Sequence, residues 1–236
     1  MFWLSDNSIE FPPAFLADED GLLAIGGDLS PERLLRAYRE GIFPWFGEDD
    51  PYLWWSPDPR FVLFPEDLKV SKSMRSYFNR NKFQVTFDHC FHQVIEGCKG
   101  TFRSGQVGGT WITSEMLEAY QKLHVAGFAH SVEVWQGSAL VGGLYGIALG
   151  RMFFGESMFA RVSNASKFGF ITLVRTLQMR NYQLIDCQQD TPHLASLGAR
   201  PIPRLTFLEM LKENRQWESG PESWANWPEN QKIPLL

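Results

Sequence analysis

Apolar residues recur along this chain at two periods, and the switches between them mark its elements. The run LLAI at 22–25 is continuous and stops at Gly26-Gly27, which predicts a short buried strand. From Ser30 the spacing becomes helical: Leu34, Leu35 and Tyr38 share one face, Pro31 takes the first position and Gly41 ends it. Residues 41–60 then hold four prolines and three tryptophans, which predicts a stiff aromatic connector. Strands are expected at 61–64 and 83–87, with a helix from about Ser71 between them that buries Met74, Tyr77 and Phe78. Residues 90–98 read as helix, 99–109 as a Gly-rich exposed loop, and 114–127 as another helix. The first 25 residues and the last twenty, with Trp217, Trp224 and Trp227, read as irregular.

The densest pattern lies at 139–188, where 131–135 and the Ala139 strand form a hairpin and a third strand follows at 152–159. A helix runs from a cap at Asn164 or Ser166 to about Arg180, and a short strand, LIDCQ, closes the block. Short helices then start near Thr191 and Pro203. This order predicts an α/β fold, with antiparallel hairpins feeding one β-α-β crossover. A boundary near Arg60 divides it into a small N-terminal domain, 1–60, and a larger one, 61–236.

Two acids interrupt this apolar block. Glu156 sits among Phe153, Phe154, Met158 and Phe159, and Asp186 lies two residues before Gln188. Strand alternation predicts that Asp186 and Gln188 face the same way. A carboxylate in such surroundings is costly unless it is paired or hydrogen-bonded, so these three residues form a candidate site. The plainer alternatives are that Glu156 pairs with Arg151 or Arg161, and that Asp186 and Gln188 cap loop amides.

Composition narrows the classes. The chain has 236 residues, 44% hydrophobic and 21% charged, with net charge −5, as in an ordinary water-soluble protein. Early acids and the lack of a long apolar run argue against a signal peptide or membrane span. Three cysteines with no framework spacing read as free thiols in a cytoplasmic protein. Against the acidic total, residues 69–82 carry Lys69, Lys72, Arg75, Arg80 and Lys82 with no acid. Such a face is either solvated or binds phosphate. Trp45 and Trp111 either plug the core or stack on bases. His89, Cys90, His92 and Cys98 fit no zinc spacing, so no metal is expected. No acyl-CoA loop is evident either: Arg161 to Ser166 read RVSNAS, without the glycine pair that lets backbone N–H groups approach a pyrophosphate. An acyl-CoA N-acetyltransferase and a non-catalytic RNA-binding module remain the rival classes.

GGDLSPERLLRAYREGIFPWF, LWWSPDPR, GTWIT, HSVEVW, LVGGLYG, FFGESMF, NASK, LIDCQ and ASLGAR-IPR occur in this order between Gly26 and Arg204. Together they resemble the bacterial leucyl/phenylalanyl-tRNA–protein transferase family. The resemblance implies a small N-terminal domain and a C-terminal acetyltransferase-like (GNAT-like) domain with a mixed sheet flanked by helices. It implies transfer of Leu or Phe, with Met as a further donor, from aminoacyl-tRNA to proteins beginning with Lys or Arg, marking them for N-degron proteolysis. No cofactor is implied, and a cytoplasmic monomer is expected. Position by position, it implies Glu156, Asp186 and Gln188 as catalytic. Chemistry then leads us to expect Asp186 to draw the proton from the amine, through or beside Gln188, and Glu156 to hold the amine or the acceptor's basic first residue. Leu144, Phe153, Gly155, Phe170, Leu173 and Leu177 would line the donor side-chain pocket. Related proteins often carry Met at the first of these and Phe at the last two. Trp45 and Trp111 would hold the terminal adenosine, and Lys72, Arg75 and Arg80 the tRNA backbone.

Overall fold

A computed structural model describes residues 1–100, 112–217 and 222–227. Strands β1 (Phe2–Leu4), β2 (Leu22–Gly26), β3 (Phe43–Pro44) and β4 (Leu53–Trp55) form a four-stranded sheet in the order β1-β2-β4-β3. Helix α1 (Pro31–Arg39) follows β2, and its N terminus is capped as expected by the Ser30 hydroxyl, which accepts from the Arg33 N–H. The stretch 41–60, expected to be a connector, contributes two strands of this sheet. Trp54 is fully buried and Pro44 sits on the edge strand β3, where a missing N–H removes no ladder bond.

The second sheet is seven-stranded. Its members are β5 (Arg60–Leu63), β6 (Gln84–Phe87), β7 (Ala129–Gln136), β8 (Ala139–Leu149), β9 (Met152–Ala160), β10 (Leu184–Gln188) and β11 (Arg200–Ile202). Their order is β11-β5-β10-β9-β8-β7-β6. Neighbours β6 through β9 pair antiparallel, and β9 and β10 pair parallel across the crossover helix α5. This is the mixed α/β sheet that the order of elements predicts. The intervening helices are α2 (Lys72–Asn79), α3 (Phe91–Lys99), α4 (Ser114–Val125), α5 (Ala165–Met179), α6 (Pro192–Ala195) and α7 (Arg204–Asn214).

Apolar side chains gather in two clusters. One joins α1 and the four-stranded sheet to α3, α4, α7, Tyr145, Ile147 and Phe154; the other holds α2, α5, Phe153 and Ile185. In α2, Met74 and Phe78 are buried as expected, but Tyr77 is only half-buried. Residues 222–227 form no helix or strand, as expected of an irregular C-terminal segment, yet they are not loose. Trp224 and Trp227 are buried there, stacked at 3.9 Å on each other, because two large apolar rings gain more from the core than their backbone loses in freedom. The Gly-rich stretch at 99–109 lies, apart from Lys99 and Gly100, outside the described residues.

Candidate active site

The site forms where β9 and β10 part. Their parallel register holds for three pairs and ends at Asp186 opposite Phe154, while β9 continues to Ala160. Both strands bulge just beyond. On β9, Tyr145 faces Ser157 and Gly146 faces Gly155, so Glu156 is the extra residue. On β10, Asp186 faces Val62 and Gln188 faces Phe61, so Cys187 is extra, and Gln188 adopts φ 61°. A bulge re-aims a side chain and ends regular pairing, which here opens a space between neighbouring strands. Gly146 permits the close approach at the first bulge: a Cβ there would lie 2.1 Å from the Phe154 carbonyl oxygen.

The space is a cavity of about 440 Å³. Leu144, Phe153, Phe170 and Ile185 give it apolar walls, while Glu156, Ser157, Asp186 and Gln188 supply polar groups, and Phe43, Pro44 and Trp45 close it from the four-stranded sheet. Four of the six residues expected in the side-chain pocket therefore line it: Leu144, Phe153, Gly155 and Phe170. Leu173 and Leu177 do not. They lie about one and two turns further along α5, fully enclosed in the core, so helical spacing from Phe170 carries them past the cavity.

The polar groups form one connected chain. Gln188 Nε2 donates to Glu156 Oε1 at 2.8 Å, and the Tyr120 hydroxyl donates to Oε2 at 2.8 Å. The Tyr38 and Tyr120 hydroxyls share a hydrogen bond within the core. Glu156 is 7% exposed, and burial pushes its carboxyl up to about 7, against the opposing pull of hydrogen bonds from Tyr120, Tyr38 and Gln188. It pairs with neither Arg151, which stacks over Trp217, nor Arg161, which reaches the Leu140 carbonyl.

Asp186 is placed differently. It is fully buried, with Oδ1 accepting from Arg60 Nε at 2.8 Å and from the Gln188 N–H at 3.0 Å, and Oδ2 accepting from Arg60 Nη2 at 2.6 Å. Arg60 in turn donates to the Gly41 carbonyl and lies between the rings of Phe43 and Phe207, 4.7 Å from each centroid. The alternation argument thus does not hold at this strand end. Asp186 turns its carboxylate to Arg60 and Gln188 sends its amide to Glu156, because the bulge at Cys187 breaks the period of two. A carboxylate held bidentate by a buried guanidinium anchors structure, and its oxygens are already engaged.

Sequence reasoning missed Arg60, Tyr38 and Tyr120 as members of the site. Arg60 had one usable signal, a cation heading the apolar strand RFVL. The tyrosines had none, since a tyrosine on the inner stripe of a helix normally serves as packing. Cys187 also borders the cavity, but burial raises its thiol far above the ordinary range, so it is no ready nucleophile.

Trp45 lines the cavity half-buried, fixed by its backbone N–H on the Leu53 carbonyl and by Trp55, whose indole donates to the Trp45 carbonyl at 2.6 Å. Trp111 lies outside the described residues. Lys72, Arg75 and Arg80 are exposed on and just beyond α2, and none of them forms an ion pair among the described residues. No three His, Cys, Asp or Glu side chains are grouped to hold a metal ion among the described residues. No helix among these residues is long and apolar enough to cross a membrane.

Residues 62–212 match the family model described as leucyl/phenylalanyl-tRNA protein transferase, and residues 27–58 match the N-terminal domain of the same family. The leucyl/phenylalanyl-tRNA–protein transferase of Christiangramia forsetii is 61% identical over 204 residues, covering 86% of this chain and 96% of its own. That of Nitrosospira multiformis is 54% identical over 225 residues, covering 94% and 96%. Among solved structures, L-PGS from Bacillus licheniformis aligns over 69% of this chain and 52% of its own at 11% identity and a TM-score of 0.39, too distant to carry function. By its sequence over nearly its whole length, this chain belongs to the leucyl/phenylalanyl-tRNA–protein transferase family.

Proposed function

We propose that the chain transfers Leu or Phe, and Met as a further donor, from aminoacyl-tRNA to the α-amine of proteins that begin with Lys or Arg. The product is a peptide bond and an N-degron on the acceptor, made by a cytoplasmic monomer that needs no cofactor. The observation that carries this reading is the cavity between β9 and β10, where apolar walls adjoin an acid–amide cluster. An esterified apolar amino acid fits the walls, and an amine attacking its carbonyl needs a proton acceptor beside them.

The ester is already activated, so alignment and proton transfer are the remaining tasks. The amine attacks the ester carbonyl directly, with no covalent enzyme intermediate, since no nucleophile in the cavity is activated. We assign the proton to Glu156 rather than Asp186. Both border the cavity, but the raised carboxyl of Glu156 matches the working pH, whereas the oxygens of Asp186 are engaged by Arg60 and the Gln188 N–H. The C–N bond forms first, giving a tetrahedral oxyanion as Glu156 takes the proton from nitrogen; the C–O bond then breaks as Glu156 gives that proton to the departing ribose oxygen. Asp186 holds the Gln188 backbone, and Gln188 holds Glu156 while its amide oxygen accepts from the incoming amine. A backbone N–H near Gly155 faces the oxyanion. Leu144, Phe153, Gly155 and Phe170 grip the donor side chain, with Leu173 and Leu177 behind them. Trp45 and Trp111 hold the terminal adenosine, and Lys72, Arg75 and Arg80 the acceptor stem.

The test is label transfer from Leu-, Phe- and Met-charged tRNA to peptides starting with Lys, Arg or Ala. Label on the Lys and Arg peptides alone is expected; transfer to none of them, with tRNA bound, would remove the activity.

A further inference from the structure

The C-terminal segment reaches the back of the donor cavity. The Glu222 N–H donates to the Gly127 carbonyl at 3.3 Å and the Trp224 N–H to Asp88 Oδ2 at 2.9 Å. Asp88 also accepts from the Ser131 N–H at 2.9 Å and lies 2.8 Å from His130 Nδ1, so the anchor is itself fixed to β7. The Trp224 ring is fully buried, stacked at 3.9 Å on His130 and at 3.9 Å on Trp227. Its indole N–H has no partner among the described residues, so ring contact holds it there. One of those contacts is Phe153, at 5.7 Å and 34°, within the range of packed aromatic pairs.

Phe153 is a wall of the cavity and is fully buried. Its other side rests on bare backbone: a Cβ on Gly146 would lie 2.5 Å from the ring. The ring therefore touches rigid backbone at Gly146 and a large side chain at Trp224, within the cluster it shares with α5. Packed interiors move little as long as their neighbours stay in place.

We infer that Trp224 fixes the position of the Phe153 wall and thereby sets which donor side chain the cavity accepts, as a positioning residue that acts through Phe153. This rests on reading the cavity as the donor pocket. With the indole removed, Phe153 tilts into the vacated space and the cavity deepens. An apolar slot separates side chains that differ by a methylene by about 10–200-fold, so a small retreat of the wall alters the choice between Leu and Phe.

The experiment measures kcat/KM for Leu-tRNA and Phe-tRNA on one Arg-initiated peptide, with Trp224→Leu, Trp224→Phe and Trp227→Leu beside the parent enzyme. Trp224→Leu is expected to raise the Phe-to-Leu ratio by roughly tenfold, and Trp224→Phe to move it the same way by about threefold. Trp227 pairs its ring with Trp224 and Phe87, and with no ring of the cavity wall among the described residues, so Trp227→Leu lowers thermal stability and leaves the ratio alone. If Trp224→Leu fails to fold, the milder Trp224→Phe decides. A parent-like ratio in the folded variants would reduce Trp224 to packing while leaving the donor reading intact. A parent enzyme that transfers neither amino acid would overturn both.

Discussion

At the scale of single residues, the site depends on two carboxylates in unlike surroundings. Asp186 is compensated by Arg60, so its charge is anchored. Glu156 receives neutral donors, Gln188, Tyr120 and Tyr38, and burial holds its carboxyl at about 7. The sign follows: if the ionised form takes the proton, transfer under kcat/KM conditions rises with pH through about 7, and falls below it as Glu156 becomes protonated. The acceptor amine adds a second rise near its own value of about 7.7–8.0. Glu156→Gln is expected to lower transfer by about 10²–10⁴-fold and to leave only the amine's limb in the pH–rate profile. Persistence of the limb near 7 in that variant would assign the proton to another group.

At the scale of elements, α2 separates packing from recognition. Met74 and Phe78 bury one side, Ser71 caps the start, and Lys72, Arg75 and Arg80 stay exposed. Changing these three cations to Ala leaves the buried contacts and the cap in place. Each phosphate contact contributes roughly 0.9 to the slope of log affinity against log salt, so loss of three should flatten that slope by about 2–3. Measured for charged tRNA across a salt series, an unaltered slope would show that these side chains are merely solvated. The strands β9 and β10 make the complementary point: their bulges spoil local pairing, and the cavity exists because of that spoiling.

At the scale of the whole molecule, the two sheets are distinct but one core is shared. Leu23, Leu34, Tyr38 and Trp54 belong to the same buried cluster as Tyr120, Tyr145 and Phe154. Arg60 ties the Gly41 turn to Asp186, and Tyr38 on α1 meets Tyr120 on α4. The full chain is therefore expected to unfold in urea in one transition, with near- and far-ultraviolet circular dichroism coincident. Residues 61–236 alone, stripped of that face and of Arg60, should show no cooperative transition. A stable, cooperatively unfolding fragment would mean that the small sheet is an accessory to the larger one.

The periodicity of apolar residues was enough to locate β2, α1, β5 through β10 and α5, because those elements bury long, regular stripes. Glu156, Asp186 and Gln188 stood out in the sequence for the same reason, as polar residues in greasy surroundings where burial is costly without a partner. Short edge strands such as β1, β3 and β11 left no such trace, since two or three residues bury too little to impose a period. Who partners whom was beyond the sequence as well. Arg60 lies 126 positions from Asp186, and Tyr120 lies 36 from Glu156. Such contacts follow from how the strands stack, and a strand's own spacing carries no information about its neighbours. The two bulges decided the chemistry, by turning Asp186 toward Arg60 and Gln188 toward Glu156. The sequence by itself determined which residues could act; the tertiary structure alone decided which carboxylate is anchored by a guanidinium and which meets only neutral donors, because partners come from how distant strands stack.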